Sequence, residues 1–191
     1  MSEIAVPSIY FAQHGRQNTA RTLALAKARA DALGIRNILV ATTTGETGRL
    51  AAELFRGMNV VVVTHSTGFK EPNVQELTAE NRAAIEAAGG KILTAQHGFG
   101  GVGRAVRIKL GTYEIEEIIA HTLRVFGQGT KVACEIAIMA ADAGLVRTDE
   151  DAIAIGGSGG GADTALVLRP VNAMRFLDLK VREVICKPWD F

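Results

Sequence analysis

The sequence predicts an open α/β sheet that carries helices on both faces. Apolar runs at residues 38–41 and 60–63 show no alternation, which is typical of parallel strands that are covered on both sides. Segments with helical spacing of apolar residues lie between such runs, as at 46–56. Strands and helices therefore alternate along the chain, and this order is characteristic of an open α/β sheet.

The elements follow in chain order. Residues 9–11 fit a short strand, and a helix begins near Asn18 and ends at Gly34. The strand at 38–41 leads into a helix at 46–56. The later predicted elements are a strand at 60–63, a helix capped by Thr78 and ended by 89–90, a strand at 92–93, helices at 115–126 and 131–143, strands at 152–155 and 165–168, a short helix or turn at 172–178 and a strand at 181–186.

The link at 156–164 joins two of these strands and is too short for a right-handed parallel crossover. The strands at 152–155 and 165–168 should therefore pair antiparallel. No internal repeat or low-complexity linker divides the chain, so we predict one domain over residues 1–191.

The turn after the strand at 38–41 is rich in hydroxyl groups. Thr43 and Glu46 stand in capping-box register, so Thr43 is expected to cap the following helix. A helix start offers free N–H groups and a partial positive charge, which together favour a phosphate or carboxylate. Capping alone explains the same threonines about as well. The candidate anion-binding residues are Thr42, Thr43, Thr44, Gly45, Glu46 and Thr47.

A second candidate loop follows the strand at 152–155 and is rich in glycine. In open α/β sheets the ligand lies beyond the carboxyl ends of the strands, where the strand order reverses. If the two strands are neighbours, this loop faces the threonine turn across one crevice. No Lys-Ser/Thr pair follows these glycines, so the segment is not a Walker loop. The alternative to a ligand-binding loop is a plain hairpin loop. The candidate residues are Gly157, Ser158, Gly159, Gly160 and Gly161.

Other polar residues receive less weight. His65 and His97 each follow a strand on the expected ligand side, where a histidine can act as a general acid or base or simply form loop hydrogen bonds. Gly98, Gly100 and Gly103 fit a G-x-G-x-x-G pattern, but the expected acidic residue on a second strand is missing, so a mobile crossing loop is favoured. Arg16, Arg104 and Arg107 are candidates for positive charge near a phosphate.

Composition excludes several classes of protein. Of 191 residues, 48% are hydrophobic and 21% charged, which supports a full core. A formal net charge of +1 without a basic run argues against a nucleic-acid partner, and no apolar run is long enough for a membrane span. The start of the sequence lacks a signal-peptide pattern. Cys134 and Cys186 are expected to be buried thiols in a reducing cytoplasm, and no spacing indicates a metal site.

The two loops and their surroundings resemble the C-terminal, regulatory domain of pyruvate kinase, in a stand-alone form without the catalytic barrel. The resemblance covers about residues 35–170, with 65–130 only loosely comparable. The matching segments are 38–47, Ala51-Ala52, Phe55-Arg56, 59–64, 140–146 and 151–164.

The resemblance implies a five-stranded core with order 3-2-1-4-5 and an effector-like site. Residues 42–47 match the phosphate cradle of that family, and 157–161 match the loop that closes over an effector sugar phosphate. The chain departs from the family in two ways. Its only tryptophan, Trp189, does not match the position of the tryptophan that contacts the effector in many pyruvate kinases, and Glu46 places a negative charge where a sugar bisphosphate would bind. Flavin mononucleotide (FMN) is therefore a better expected ligand than a sugar bisphosphate.

Three functional hypotheses follow. The preferred one is a non-catalytic or regulatory protein, expected to form homo-oligomers, that binds a phosphorylated small molecule such as FMN or a similar nucleotide or sugar phosphate. The second is an enzyme that acts on a phosphometabolite, or depends on flavin, with His65 or His97 as acid or base. The third is a scaffold that self-associates through the helices near 113–143, with a vestigial pocket.

Overall fold

A computed structural model describes residues 3–191. Seven strands form one sheet in the order β1-β7-β6-β5-β2-β3-β4. The strands are β1 (Ile9–Gln13), β2 (Asn37–Ala41), β3 (Asn59–Thr64), β4 (Lys91–Thr94), β5 (Ala152–Gly156), β6 (Thr164–Arg169) and β7 (Lys180–Asp190). The helices are α1 (Thr19–Leu33), α2 (Glu46–Leu54), α3 (Ala79–Ala87), α4 (Val102–Leu110), α5 (Ile115–Arg124) and α6 (Gln128–Asp142), with 3₁₀ turns at Arg16–Asn18 and Ala173–Asp178.

The predicted five-stranded core is confirmed. Strands β4, β3, β2 and β5 are parallel neighbours, and β6 joins β5 antiparallel with Gly156 opposite Thr164. Numbered as the core strands of the prediction, this order is 3-2-1-4-5. The strand order reverses between β2 and β5, so these two strands bound the switch point of the sheet.

The terminal strands extend the sheet beyond β6. Strand β7 pairs antiparallel with β6, and β1 pairs parallel with β7, with Ile9 opposite Cys186. The prediction of a strand at 181–186 was too short, because β7 runs on to Asp190 and there supports β1. As a result, β1 ends at the same edge of the sheet as β2 and β5.

Helices cover both faces of the sheet, as the unbroken apolar strands predict. Helices α1, α2 and α3 pack on one face, against side chains such as Ile38 and Val62. Helices α5 and α6 pack on the other face, against Leu39 and Val61. Successive residues of β2 thus enter opposite layers of the core, which is why this strand shows no polar alternation.

Several predicted helix ends are confirmed. Gly34 ends α1 with a left-handed backbone (φ 66°), and the Thr78 hydroxyl accepts the N–H of Asn81 at 3.2 Å at the start of α3. Within the described residues, none of the helices is long and apolar enough to cross a lipid bilayer.

Candidate functional site

A cavity of about 630 Å³ opens at the carboxyl ends of β2, β3, β4 and β5. It lies at the switch point of the sheet, where parallel α/β folds place their ligands. Its lining comprises Arg16, Ala41, Thr42, Thr43, Thr44, Glu46, Thr47, Val63, Thr64, His65, Phe69, His97, Arg104, Arg124, Gln128, Lys131, Val132, Glu135, Ile136, Met139, Gly157, Gly159, Gly160 and Gly161. The threonine turn and the glycine loop therefore line the same cavity.

The threonine turn is shaped by Thr42. The Thr42 hydroxyl accepts the N–H groups of Gly45 at 3.1 Å and of Gly48 at 3.4 Å. The predicted capping box is wrong, since Gly45 is the N-cap of α2 and the side chain that reaches the first turn of this helix is that of Thr42. The helix begins at Glu46, two residues too late for Thr43 to cap it, and the left-handed backbone of Gly45 (φ 100°) turns the chain back toward Thr42.

The turn leaves a group of backbone donors unused. Among residues 3–191, no hydrogen-bond acceptor meets the N–H groups of Thr43, Thr44, Glu46 and Thr47. Thr47 itself lines the cavity and is only 6% exposed, so its hydroxyl lies close to these N–H groups. Free N–H groups at a helix start attract anions, so this end of the cavity is suited to a phosphate.

The turn is held rigidly from behind by α3. The Thr44 carbonyl accepts the N–H of Thr78 at 3.1 Å and the side-chain amide of Asn81 at 3.0 Å. Gly45 does not line the cavity, because it packs against Leu77 and Asn81, whose atoms a Cβ there would approach to 2.5 Å. The free amides are therefore fixed in place before any ligand arrives.

The glycine loop forms the opposite wall. Gly159, Gly160 and Gly161 have φ values of 75°, 139° and 67°, which only glycine adopts without strain. The N–H groups of these three residues and of Gly157 find no acceptor within residues 3–191. Ser158 does not line the cavity, and its buried hydroxyl has no partner in the described chain.

A buried carboxylate, Asp163, anchors this loop. Asp163 is fully buried, and its Oδ2 accepts the N–H of Gly15 at 2.9 Å and of Ser158 at 3.1 Å. Its Oδ1 accepts the hydroxyl of Thr164 at 2.9 Å. Sequence reasoning missed Asp163, although an acidic residue between a glycine run and a buried strand needs hydrogen-bond donors and is a signal for such an anchor.

An exposed ion pair spans the mouth of the cavity. Arg16 Nη2 lies 2.8 Å from Glu46 Oε2, and both side chains remain more than half exposed. Arg16 and Arg104 line the cavity, as considered from the sequence, whereas Arg107 pairs with Glu117 at 3.0 Å and does not. The pair places a positive charge beside the only acidic residue of the threonine turn.

The two candidate histidines lie side by side in the cavity wall. His65 Nδ1 is 2.7 Å from Glu76, and the two imidazole rings are 5.4 Å apart. Phe69 stacks on His97 at 4.8 Å, and the guanidinium of Arg104 lies 5.1 Å from the centre of the Phe69 ring. Burial, partly opposed by Glu135, lowers the pKa of His97 from 6.5 to about 4, so this ring is neutral at physiological pH.

Helix α6 contributes a buried pair that sequence reasoning missed. Lys131 Nζ donates to Glu135 Oε2, and the two side chains are 5% and 6% exposed. Glu135 also accepts the N–H of Phe99 at 2.9 Å. The signal was present in the sequence, because a Lys-Glu pair at i,i+4 on a helix that is apolar around its girth has to be buried with its partner.

The glycine-rich segment 98–103 does not line the cavity, but the residues that flank it do. His97 precedes it and Arg104 follows it, and both line the cavity, whereas none of residues 98–103 does. Helix α4 begins inside this segment, at Val102. Within residues 3–191, no group of three or more His, Cys, Asp or Glu side chains is placed to hold a metal ion.

The fold and the cavity define an open-sheet α/β protein with one polar cavity at the topological switch point, walled by a threonine turn and a glycine loop. Comparison with protein families identifies this class more closely. The family model described as "Pyruvate kinase, alpha/beta domain" matches residues 20–168. The chain belongs to this family, and the match includes both loops.

Proposed function

We propose that the cavity binds a phosphorylated small molecule, with its phosphate at the threonine turn. The observation that carries the proposal is the set of N–H groups on both walls that meet no acceptor within residues 3–191. They belong to Thr43, Thr44, Glu46 and Thr47 on one wall and to Gly157, Gly159, Gly160 and Gly161 on the other. Backbone amides of a turn and a helix start are a common cradle for phosphate oxygens. We propose that this role is non-catalytic and regulatory.

FMN is the ligand that we favour. The volume of about 630 Å³ falls within the roughly 300–1,000 Å³ typical of small-molecule sites. Val132, Ile136 and Met139 line one part of the cavity, and the stacked rings of Phe69 and His97 line another. These surfaces suit a flat ring, while one phosphate occupies the turn. A similar nucleotide or a sugar phosphate is the next choice.

The pairing of Glu46 bears on the number of phosphates. Arg16 balances the charge of Glu46, so one phosphate at the free amides meets no net repulsion from this pair. A second phosphate on the same side would approach the Glu46 carboxylate directly. A monophosphate is therefore preferred to a bisphosphate.

Calorimetric titration with FMN, inorganic phosphate and fructose 1,6-bisphosphate tests the proposal. Thr47→Val is the sharpest variant, because it removes a hydroxyl from a buried residue of the cavity wall and keeps the side-chain shape. The loss of one donor to a charged phosphate should weaken binding by on the order of 10- to 100-fold. Thr122→Val, on the exposed side of α5, is the matched control and should leave the affinity unchanged.

Failure of every phosphate compound to bind at millimolar concentration rejects the proposal. Equal affinities of the Thr47→Val and Thr122→Val variants would instead show that the phosphate lies elsewhere. A yellow colour of the freshly purified protein, or native mass spectrometry, would identify a ligand that is carried through purification.

An enzyme that uses the same cavity is a second candidate, and the side-by-side placement of His65 and His97 favours it. His65 is hydrogen-bonded to Glu76, an arrangement that fixes the orientation of an imidazole base. In an enzyme, His65→Ala would abolish turnover and retain ligand binding. In a binding protein the same variant would show no activity to lose.

Self-association is a third proposal, and exposed apolar side chains on α4 and α5 favour it. Ile108 and Ile115 are both 73% exposed, and Ile118 is half exposed. Large apolar side chains exposed on neighbouring helices are a common feature of protein interfaces. Light scattering on the protein and on an Ile108→Lys/Ile115→Lys double variant tests it, and a monomeric protein at micromolar concentration contradicts it. Two free, buried thiols are in keeping with a cytoplasmic location.

A further inference from the structure

The amine of Lys131 is enclosed in the same cavity as the free amides of the threonine turn. The side chain is 5% exposed, and its nearest charged partner, Glu135, is 6% exposed. Both residues line the cavity, on the wall formed by α6. A lysine that faces an internal cavity, and not bulk water, can react only with a molecule that enters this cavity.

The structural role of the pair does not account for its cost. Removing a lysine and a glutamate from water is expensive, and apolar residues of similar volume usually stabilise a core as well or better. The flanking positions of α6 are filled with apolar residues such as Ala133 and Ile136. A buried charged pair at a cavity wall is a common feature of functional sites.

The surroundings of Lys131 have the net effect of lowering the pKa of its amine. Burial is the main influence that lowers the pKa of this amine, Glu135 opposes it, and the guanidiniums of Arg124 and Arg104 lower the pKa further. Desolvation and neighbouring cations are the two means by which proteins make a lysine nucleophilic. Glu135 is held in position by the N–H of Phe99 and can receive the proton.

We propose that the cavity reacts with phosphorylated aldehydes, and that Lys131 forms an imine with the carbonyl carbon while the threonine turn holds the phosphate. The proposal rests on the phosphate site proposed above and adds a reactive group to it. An aldehyde is favoured over a ketone, since its carbonyl carbon is the more electrophilic and the less hindered of the two.

The chemistry balances with the groups present. The Lys131 ammonium first transfers a proton to the Glu135 carboxylate. The free nitrogen then attacks the aldehyde carbon, and a C–N bond forms as the carbonyl π bond opens to a hydroxyl. Glu135 returns the proton to this hydroxyl, which leaves as water. One aldehyde and one ammonium thus become one protonated imine and one water, and Glu135 is regenerated.

Trapping with borohydride tests the proposal. The intact protein is incubated with pyridoxal phosphate, reduced with borohydride, digested, and mapped by mass spectrometry. The reduced adduct should be found at Lys131 in preference to exposed lysines such as Lys109. Inorganic phosphate should protect Lys131. Pyridoxal, which lacks the phosphate, should require on the order of 10- to 100-fold higher concentration for the same labelling.

Two variants complete the test. Lys131→Arg keeps a positive charge beside Glu135 and should abolish the protected adduct, whereas Lys109→Arg should leave it unchanged. If pyridoxal phosphate binds in calorimetry but reduction leaves Lys131 unlabelled, the imine is refuted and the phosphate site stands. If neither pyridoxal phosphate nor any of the phosphate compounds titrated above binds, the proposed function falls together with this inference. Because the mapping is done on the unaltered protein, the test does not depend on how either variant folds.

Discussion

Replacement of Asp163 by alanine should separate the glycine loop from the N-terminal segment of the chain. The carboxylate accepts two backbone N–H groups through Oδ2 and one hydroxyl through Oδ1, at 2.9–3.1 Å. Hydrogen bonds to charged groups contribute about 1.5–3 kcal/mol each, but bonds that share one carboxylate are not additive. We therefore expect Asp163→Ala to lower the free energy of unfolding by about 3–5 kcal/mol.

Asp163→Asn is the matched control, because it keeps the shape of the side chain. The amide oxygen can replace Oδ2 and accept both N–H groups, from Gly15 and Ser158. The amide nitrogen then faces Thr164, whose hydroxyl can rotate and accept. Only the charge is lost, so the cost should be about 1–2 kcal/mol.

Urea unfolding of the wild type and both variants measures these differences. Ligand affinity should follow the same order, since Asp163 positions the loop whose free N–H groups face the cavity. Equal stabilities of the alanine and asparagine variants, or a loss below about 1 kcal/mol for alanine, would refute the view that this carboxylate anchors the loop.

Two further substitutions probe the glycine loop and the buried histidine. Gly159→Ala and Gly161→Ala both place a side chain at positive φ, but only the Cβ at position 161 would meet other atoms, Thr19 Oγ1 at 2.4 Å and Arg16 Cα at 2.6 Å. In urea unfolding we therefore expect a loss of about 1 kcal/mol for Gly159→Ala and of about 2–4 kcal/mol for Gly161→Ala. Similar losses for the two variants would show that the loop can shift to accept a side chain at position 161. Because folding lowers the pKa of His97 from 6.5 to about 4, protonation favours the unfolded chain: the stabilising effect of the neutral ring is complete above pH 6.5 and is lost as the pH falls toward 4. Between pH 6.5 and pH 4, the free energy of unfolding of the His97→Gln variant should therefore fall by about 1–2 kcal/mol less than that of the wild type, after allowance for partial solvent screening. If the free energies of unfolding of the two proteins fall in parallel over this pH range, the prediction is wrong.

The core of the fold could be predicted because its strands are buried on both faces. Residues 60–63 are four valines in succession, and such a run has few alternatives to a central parallel strand. The antiparallel β5–β6 pair followed from the length of the loop between them. The pairing of β1 with β7 could not be predicted, because β1 is largely exposed and its partner lies at the far end of the sequence.

The two loops of the candidate site could be predicted from the sequence, whereas the buried charged residues behind them could not. Hydroxyl- and glycine-rich segments are visible as composition, so both walls were found from the sequence. Asp163 and the Lys131–Glu135 pair act through contacts distant in sequence or through burial, which composition does not show. The capping box failed because Thr43 and Glu46 have the right spacing, whereas the actual turn depends on the backbone of Gly45.

The bond between Gly15 and Asp163 also bears on how the protein folds. It joins residues 148 positions apart, and β1, which precedes Gly15, has β7 as its neighbour in the sheet. Closing so long a loop is entropically costly, and contacts of this separation form late in folding. During synthesis, the first strand has to wait until residue 190 has left the ribosome before it can dock. The contact by which Gly15 joins the glycine loop is therefore expected to form late in folding.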